Sequence, residues 1–349
     1  MIEVLTAVGQ LTEEWLSSAL DIDIRSVSPQ PIGTGQTSST YRLAIEADGG
    51  PSSLVAKLAE GPEDARRRVA TGHRSECGFY RELAQTLDLR VPRCWYEAIS
   101  DDGSSFTLLL EDLSPRQPGR QADGCSFSQA AEAVRNLARL HASRWNDDTL
   151  LDVDFLIPLT EERATFLADL AEGATAQFIE RYADRLSADD VATLRDVSGV
   201  LVEWQLNRTR PFSVVHGDYR LDNLMIDPMG DDVVAVDWQT LAIAMPARDL
   251  GYFIGTSLPT ERRRAEESRL VAEYHAELHA RGVDTYTSDE CTADYRRGQI
   301  HGPLITVLGS MTSARERDAA VDEMFLSMAR RSCAAVRDHR SIEATFADR

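Results

Sequence analysis

The chain has 349 residues, and 43% of them are hydrophobic, which is enough to bury the core of one large domain or of two lobes. Its net charge of −20 argues against nucleic acid as a partner, because the phosphates would be repelled. The same charge mildly favours a cationic substrate, although a total charge does not describe any particular pocket.

The cysteines and the hydrophobic runs indicate the compartment. None of the five cysteines belongs to a Cys-x-x-Cys pair, which argues against a zinc site or a disulfide framework and favours a reducing environment. The first sixteen residues lack a basic flank before their apolar positions, unlike a signal peptide. No apolar run approaches the ~18 residues of a membrane span. We therefore expect a cytoplasmic protein without a membrane or nucleic-acid partner; the sequence does not indicate its oligomeric state.

The N-terminal region predicts a short helix followed by two strands. Residues 11–20 have a helical pattern, with Thr12 as a suitable N-cap. Residues 40–45 and 54–58 are β-prone, and the Asp-Gly-Gly-Pro sequence between them is typical of a hairpin turn.

This region contains one loop that is a candidate for phosphate binding and one lysine with an unusual environment. The loop at residues 33–39 is small and polar, so backbone N–H groups at Gly33, Gly35 and Ser38 can approach phosphate oxygens. Such loops are common, and this one carries little weight alone. Lys57 lies between apolar neighbours on the second strand, which packs its aliphatic stem. A surface lysine with a half-buried stem is the alternative interpretation.

Helix and hairpin patterns follow in turn. Residues 62–87 predict one long helix that turns amphipathic towards its end, and Glu76 lies on it. Residues 93–99 and 105–110 predict another hairpin. Residues 114–125 contain two prolines and are typical of a loop. This loop is the natural boundary between an N-terminal lobe, 1–113, and a C-terminal lobe, 114–349.

The C-terminal part is predominantly helical in pattern. Residues 126–146 carry an apolar stripe that includes His141, for which a hydrogen-bonded core position is a better prediction than a ligand role. Pro246 is suited to the start of a helix, and residues 259–349 suggest three or four more helices. Tyr274, Tyr295, Arg296 and His301 either line a substrate pocket or belong to the core, and the sequence leaves both possibilities open.

One stretch, residues 214–239, concentrates the candidate chemistry. It contains His216-Gly217-Asp218, then Asn223, then two short apolar strands joined by a turn, then Asp237. The resulting hairpin is expected to return Asp237 towards the loop that carries Asp218 and Asn223. Carboxylate and carboxamide oxygens are the ligands that Mg²⁺ prefers.

This stretch resembles the catalytic core of the aminoglycoside phosphotransferase and choline kinase superfamily. These small-molecule kinases are related to protein kinases, in which the pattern is His-Arg-Asp-x-x-x-x-Asn followed by Asp-Phe-Gly. Here the sequence is HGDYRLDN followed by Asp237-Trp238-Gln239. The variant is most similar to the phosphotransferase domains related to those fused to acyl-CoA dehydrogenases. The resemblance implies an α+β, bilobal protein-kinase-like fold with an antiparallel β-sheet N-lobe and a mostly helical C-lobe.

The resemblance also implies roles in nucleotide binding. Lys57 would contact the α- and β-phosphates of ATP or another nucleoside triphosphate, and Glu76 would pair with Lys57. The strand that ends near residue 110 resembles the segment between kinase lobes, where adenine bonds to the backbone. Backbone atoms of Glu111 and Leu113 are the candidates for that contact.

Catalysis and metal binding are implied for the central stretch. Asp218 would accept a hydrogen bond from the hydroxyl of a small-molecule substrate and take its proton. Asn223 and Asp237 would hold Mg²⁺. His216 would order the loop, and Asp249 would steady it through hydrogen bonds to its backbone.

Two alternatives to catalysis stay open on the sequence. A pseudokinase, which binds a nucleotide or partner without turnover, usually lacks the strand lysine, the loop aspartate or a metal ligand, and all are present here. A protein that binds an apolar ligand on the same fold would not bind ATP·Mg²⁺. The motif favours a hydroxylated metabolite over choline or antibiotics, and it does not identify the acceptor.

Overall fold

The chain folds into two compact units, each with its own core. The computed structural model describes residues 3–32, 38–156, 158–207, 210–230, 232–312 and 319–347. Unit 1 comprises Met1–Thr86, Arg90–Pro115 and Val236–Thr240. Unit 2 comprises Leu87–Leu89, Arg116–Ala235 and Leu241–Arg349.

Unit 1 is built on a five-stranded antiparallel sheet in the order β1-β2-β3-β5-β4. The strands are β1 (Ile24–Pro31), β2 (Ser39–Ala47), β3 (Ser53–Leu58), β4 (Cys94–Ile99) and β5 (Phe106–Glu111). Both predicted hairpins are present. Strand β1 was not predicted from the sequence. Its Pro29 and Pro31 lack the N–H that an interior strand needs. Among the described residues it lies at the edge of the sheet beside β2, where a missing donor is tolerated.

The predicted helix α1 (Glu13–Leu20) packs against this sheet and closes its core. The Thr12 hydroxyl accepts a hydrogen bond from the Trp15 N–H at 3.2 Å, so the predicted N-cap is confirmed. Leu16 of α1 is buried with Leu43 of β2 and Leu54 of β3. The alternating apolar positions of the strands thus share one face with the helix.

The single helix predicted for residues 62–87 is wrong. The segment forms α2 (Glu63–Arg68) and α3 (Ala70–Gly78), separated at Val69, whose φ of −108° and ψ of 8° are not helical. A π-helical turn (Phe79–Leu83) and a 3₁₀ turn (Ala84–Thr86) follow. The charged α2 buries no residue, whereas α3 buries most of its second half. The first helix is therefore exposed and the second is largely buried, so the two differ in environment as well as in direction at Val69.

Unit 2 is mostly helical and carries two small sheets. One sheet pairs β7 (Ser213–Val215) with β10 (Ala242–Ala244), and the other has the order β6 (Gln117–Pro118), β8 (Leu224–Ile226), β9 (Val233–Ala235). The helices within the described residues are α4 (Phe127–Ser143), α5 (Glu161–Arg181), α6 (Ala188–Ser198), α7 (Leu201–Leu206), α8 (Ala247–Ser257), α9 (Thr260–Ala280), α10 (Ser288–Gly298), α11 (His301–Thr312), α12 (Ala319–His339) and α13 (Ser341–Ala344).

The hairpin predicted in the central stretch is present as β8 and β9, which pair Leu224 with Ala235 and Ile226 with Val233. The loop before β8 leaves β7 and ends in a 3₁₀ turn, Leu221–Asn223. Helix α8 begins directly after β10 and packs against α10 and α12. Within the described residues, no helix is both long and apolar enough to cross a lipid bilayer.

Candidate active site

In unit 1, Lys57 and Glu76 form a buried ion pair. Nζ of Lys57 lies 2.6 Å from Oε1 and 2.7 Å from Oε2 of Glu76, which is fully buried. Burial alone lowers the pKa of Lys57, but the carboxylates of Asp237 and Glu76 outweigh it and raise this pKa above its usual value. Lys57 therefore stays cationic at neutral pH. Strand β3 and helix α3 place the two residues together, as the resemblance implied.

Asp237 is held beside the same lysine. Its Oδ1 lies 3.4 Å from Nζ of Lys57, and its side chain keeps 42% of its surface exposed. Its φ of 69° is left-handed, a conformation that aspartate tolerates better than most residues. The exposed part of this carboxylate is accessible to a ligand from solvent.

The two residues after Asp237 fix its position, and sequence reasoning did not assign them this role. The Trp238 ring stacks on Phe79 with centroids 3.9 Å apart. The Gln239 side-chain amide donates to Oε2 of Glu76 at 3.1 Å. Their adjacency to Asp237 was the available signal, whereas Phe79, the first residue of the π-helical turn, is far from Trp238 along the chain.

The other predicted nucleotide contacts are only partly defined. Gly33 and Gly35 lie outside the described residues, and Ser38 immediately precedes β2. The Glu111 N–H donates to the Arg93 carbonyl at 2.8 Å and is therefore already used. The backbone of Leu113 makes no hydrogen bond to any residue that the structure describes.

In unit 2, three donors converge on the carboxylate of Asp218. The Tyr252 hydroxyl donates to Oδ1 at 2.7 Å. Arg220 Nε and Asn223 Nδ2 donate to Oδ2 at 3.2 Å and 2.9 Å. A carboxylate has about four lone-pair positions, so these donors leave room for about one more. The Asp218 side chain is 24% exposed, and a further donor can reach it.

Sequence reasoning missed Tyr252 and Arg220 as partners of Asp218. Burial raises the pKa of the Tyr252 phenol, and the Asp218 charge raises it further, so the phenol stays a donor. Burial lowers the pKa of Arg220, but Asp218 and Asp222 more than offset this and raise it. Tyr252 follows Asp249 by three positions, so the two share a face of α8, and this spacing was the one signal in the sequence.

Asp249 holds the backbone of the loop that contains Asp218. Its Oδ2 accepts from the His216 N–H at 2.6 Å, and its Oδ1 accepts from the Gly217 N–H at 3.0 Å. Burial alone raises the pKa of Asp249, but His141, His216 and His301 lower it below its usual value. His216 contributes through Nδ1, which accepts from the Asp218 N–H at 3.3 Å. Both residues thus contact the loop as the resemblance implied.

Four other residues considered in the sequence analysis belong to the interior of unit 2: His141, Tyr274, Tyr295 and His301. His141 is fully buried, with Nδ1 2.8 Å from the Tyr274 hydroxyl and Nε2 3.4 Å from Asp249. His301 is buried, and its Nε2 donates to the Gly217 carbonyl at 2.9 Å. Tyr295 donates to Glu267 at 2.9 Å. Arg296, in contrast, donates to the His339 carbonyl at the surface.

The predicted metal ligands fit a hard divalent cation in chemical type. Both amide hydrogens of Asn223 are directed to Asp218, since Nδ2 donates to its backbone carbonyl and to Oδ2, both at 2.9 Å. This fixes the amide so that its oxygen Oδ1 points away, and no described residue donates to that oxygen. No three His, Cys, Asp or Glu side chains of the described residues form a metal-binding group. The predicted site instead relies on one carboxamide and one carboxylate, leaving other positions to water and phosphate.

Comparison with protein families and curated proteins gives one match. Residues 28–286 match the model of the phosphotransferase enzyme family, which is most of the chain. The curated proteins contain no match.

Solved structures with a similar fold include two small-molecule kinases and an aminoglycoside phosphotransferase, all at low sequence identity. An ethanolamine kinase from Plasmodium vivax has 15% identity and a TM-score of 0.56 over 92% of this chain and 85% of that one. A choline kinase from Cryptosporidium parvum has 10% identity and a TM-score of 0.58, covering 90% and 91%. The GDP complex of aminoglycoside 2'-phosphotransferase-IIIa has 14% identity and a TM-score of 0.55, covering 92% and 98%. The predicted kinase-like fold, with an antiparallel sheet N-lobe and a mostly helical remainder, is confirmed.

Proposed function

Because the chain belongs to the phosphotransferase enzyme family, we propose that it transfers the γ-phosphoryl group of ATP, or of another nucleoside triphosphate, to a hydroxyl group of a small molecule. The proposal includes Mg²⁺ as cofactor and the cytoplasm as compartment. The observation that carries it is the Asp218 carboxylate, which three donors orient while about one acceptor position stays open.

Asp218 would act on the acceptor hydroxyl. That hydroxyl would donate into the open position, which directs its oxygen lone pair at the γ-phosphorus. The new O–P bond forms as the bond from phosphorus to the β-bridging oxygen breaks and ADP leaves. The hydroxyl proton passes to Asp218 and then to water. A loose transition state needs little nucleophilic activation, so a partly exposed carboxylate is an adequate base.

Unit 1 would supply the nucleotide contacts. Lys57 is held cationic by Glu76 and Asp237 and would neutralise charge on the α- and β-phosphates. For adenine, the backbone of Leu113 is a better candidate than the Glu111 N–H, because that N–H is bonded to Arg93. The GDP complex of the related fold supports a nucleotide as the donor.

Asn223 and Asp237 would hold Mg²⁺, with the amide oxygen of the first and the carboxylate of the second as ligands. When bound, Mg²⁺ supplies charge neutralisation at the β- and γ-phosphates. The orientation that Asp218 imposes on the Asn223 amide supports this assignment, since it presents the oxygen rather than the nitrogen.

The experiment compares Asp218→Asn with Asp237→Asn, both close in shape to the parent residue. Asparagine is chosen because it tolerates the left-handed backbone of Asp237. Asp237→Asn should weaken Mg²⁺-dependent ATP binding and turnover. Asp218→Asn should leave ATP·Mg²⁺ binding within a few-fold of the parent, while turnover falls by a factor on the order of 10²–10⁴.

The measurements are calorimetric titration of ATP with and without Mg²⁺, and ADP release across a panel of alcohols. Asp48→Asn is the control, because Asp48 is an exposed carboxylate of unit 1 paired with Arg25. Equal damage to nucleotide binding in both variants, or full activity in Asp218→Asn, would contradict the assigned roles. ATP binding without ADP release for any acceptor would indicate a pseudokinase.

A further inference from the structure

Arg248 is a partly buried arginine that forms no ion pair with any carboxylate of the described residues. Its guanidinium carbon lies 4.1 Å from the centroid of the Trp204 ring. No described residue accepts a hydrogen bond from it, and its Nε is sealed from solvent. Burial lowers the pKa of Arg248 to about 10, with Asp249 acting in the opposite direction. The group is still cationic at neutral pH, and no carboxylate of the described residues lies within ion-pair distance of it.

Other buried or partly buried arginines of unit 2 bind carboxylates or backbone carbonyls of the protein. Arg220 and Arg263 each pair with carboxylates. Arg331 donates to backbone carbonyls of Gln121 and Thr256. An unpaired guanidinium costs free energy in such surroundings. This makes Arg248 a candidate for binding an external anion.

Two chains of contacts connect Arg248 to the loop that contains Asp218. It precedes Tyr252 by four positions on α8, so the two side chains leave the same face one turn apart. The Tyr252 hydroxyl contacts Asp218. On the other side, the Trp204 ring stacks on His301, which donates to the Gly217 carbonyl. Both the contacts through Tyr252 and those through Trp204 and His301 lie within unit 2.

We propose that Arg248 binds an anionic group on the acceptor, so that the substrate is a hydroxylated carboxylate or phosphate ester. This rests on the proposed function, since it takes Asp218 as the site of the reacting hydroxyl. The hydroxyl would lie at Asp218 and the anion one helical turn away at Arg248. Trp204 holds the guanidinium plane, because its indole is itself fixed by a bond to the Arg297 carbonyl at 2.9 Å. A planar guanidinium suits bidentate binding of a carboxylate or phosphate.

The local chemistry runs against the charge of the whole chain. A net charge of −20 mildly favours cations, yet the unpaired group on this face of α8 is positive. Short-range pairing outweighs the total charge, because surface charges beyond about 10 Å are screened at ordinary ionic strength.

The first experiment measures binding without turnover. Arginine is labelled with phenylglyoxal, and modification at Arg248 is quantified by peptide mass spectrometry. Probes are hydroxycarboxylates of increasing chain length, their methyl esters, glycerol 3-phosphate, glycerol and choline. We expect carboxylates or the phosphate ester to protect Arg248, and esters, glycerol and choline not to do so. Protection by carboxylates alone or by phosphate alone identifies the anion. Absent protection, or equal protection by neutral esters, overturns the proposal.

The second experiment measures steady-state kinetics on Arg248→Gln. KM for an anionic acceptor should rise roughly 10- to 100-fold, the loss of one charged contact, while KM for ATP is unchanged. The matched control is Arg269→Gln, because Arg269 also lies over an aromatic ring, 4.2 Å from the Phe127 centroid, but is exposed on α9. If the protein phosphorylates cationic or neutral alcohols and Arg248→Gln does not change that turnover, this inference is wrong and the proposed function still holds. If anions protect Arg248 but no phosphoryl transfer is detected, anion binding at Arg248 holds and the proposed function is wrong.

Discussion

At the scale of single residues, Asp218 is defined by the groups that donate to it. Arg220 and Asn223 both address Oδ2, whereas Tyr252 alone addresses Oδ1. Removing the Tyr252 hydroxyl frees the carboxylate to rotate without removing its charge. Tyr252 therefore has a positioning role that can be tested separately from proton transfer to Asp218.

We predict that Tyr252→Phe lowers kcat roughly 10-fold, because a less ordered base spends less time aimed at the acceptor hydroxyl. KM for ATP should not change. Steady-state kinetics provides the measurement. The matched control is Tyr286→Phe, which removes a buried hydroxyl that donates to Asp294 at 2.9 Å, away from the loop. Equal losses in both variants would indicate general destabilisation instead.

At the scale of elements, α8 organises the candidate site of unit 2. It carries Arg248, Asp249 and Tyr252 in its first turns, and its packing against α10 sets where they lie. That packing needs glycine, since a Cβ on Gly298 would lie 2.0 Å from the Ala247 carbonyl oxygen. A Cβ on Gly251 would lie 2.5 Å from the Gly298 carbonyl carbon. The close approach is backbone to backbone, so flexible side chains cannot relieve it.

We predict that Gly298→Ala destabilises unit 2 by about 2–3 kcal/mol, the usual cost of forcing extra atoms into a packed interior. It should also reduce turnover, because α8 must shift. The control, Gly173→Ala, lies in α5, where an added Cβ meets nothing within 4 Å. That variant should gain about 0.5–1 kcal/mol from higher helix propensity. Urea unfolding measures both, and a neutral Gly298→Ala would show that the helices can separate without loss.

At the scale of the whole molecule, pH acts on stability through opposing effects. Lowering the pH makes the net charge of −20 less negative and so weakens the repulsion among the acidic groups. It also titrates groups whose pKa the fold has changed. His301 is buried and lies near the Arg248 charge, and together these lower its pKa from 6.5 to about 4. The fold thus favours its neutral form.

We predict that protonation of His301 lowers the free energy of unfolding as the pH falls. Its contribution is complete above the unfolded pKa of 6.5 and is lost as the pH falls through 6.5 towards about 4, because the unfolded chain binds the proton first. The full loss is about 3 kcal/mol. Urea unfolding between about pH 5 and pH 6.5 measures it, since the acids with lowered pKa lose stability only below about pH 4.5. Burial raises the pKa of Glu76 and Glu97, so these two groups also contribute to the pH dependence of the parent.

The comparison variant for this pH dependence is His301→Gln, which keeps a donor for the Gly217 carbonyl and does not titrate. Its free energy of unfolding should fall less than that of the parent over this range. Parallel curves for the two proteins would contradict the assignment to His301. Subtracting one curve from the other removes the effect of net charge, which both share.

The sequence by itself determined those features that short spacings and periodicity encode. The pattern of His216, Asp218, Asn223 and Asp237 indicated the family and the fold, because a loop, a hairpin and polar ends at fixed spacing leave few alternatives. Glu76 was also identified as the partner of Lys57, and Thr12 as an N-cap. These inferences depend on local chemistry or on the resemblance, and both can be read along the chain.

Only the tertiary structure decided the contacts that join distant segments. The break at Val69, the π-helical turn and the stacking of Phe79 on Trp238, far along the chain, are visible only in the folded structure. Arg248 looks in the sequence like any arginine in a first helical turn. In the described residues it forms no ion pair, and α7 and α8 bring Trp204 against it. A missing counter-ion is a property of three-dimensional surroundings, and no pattern of residues in one segment specifies it.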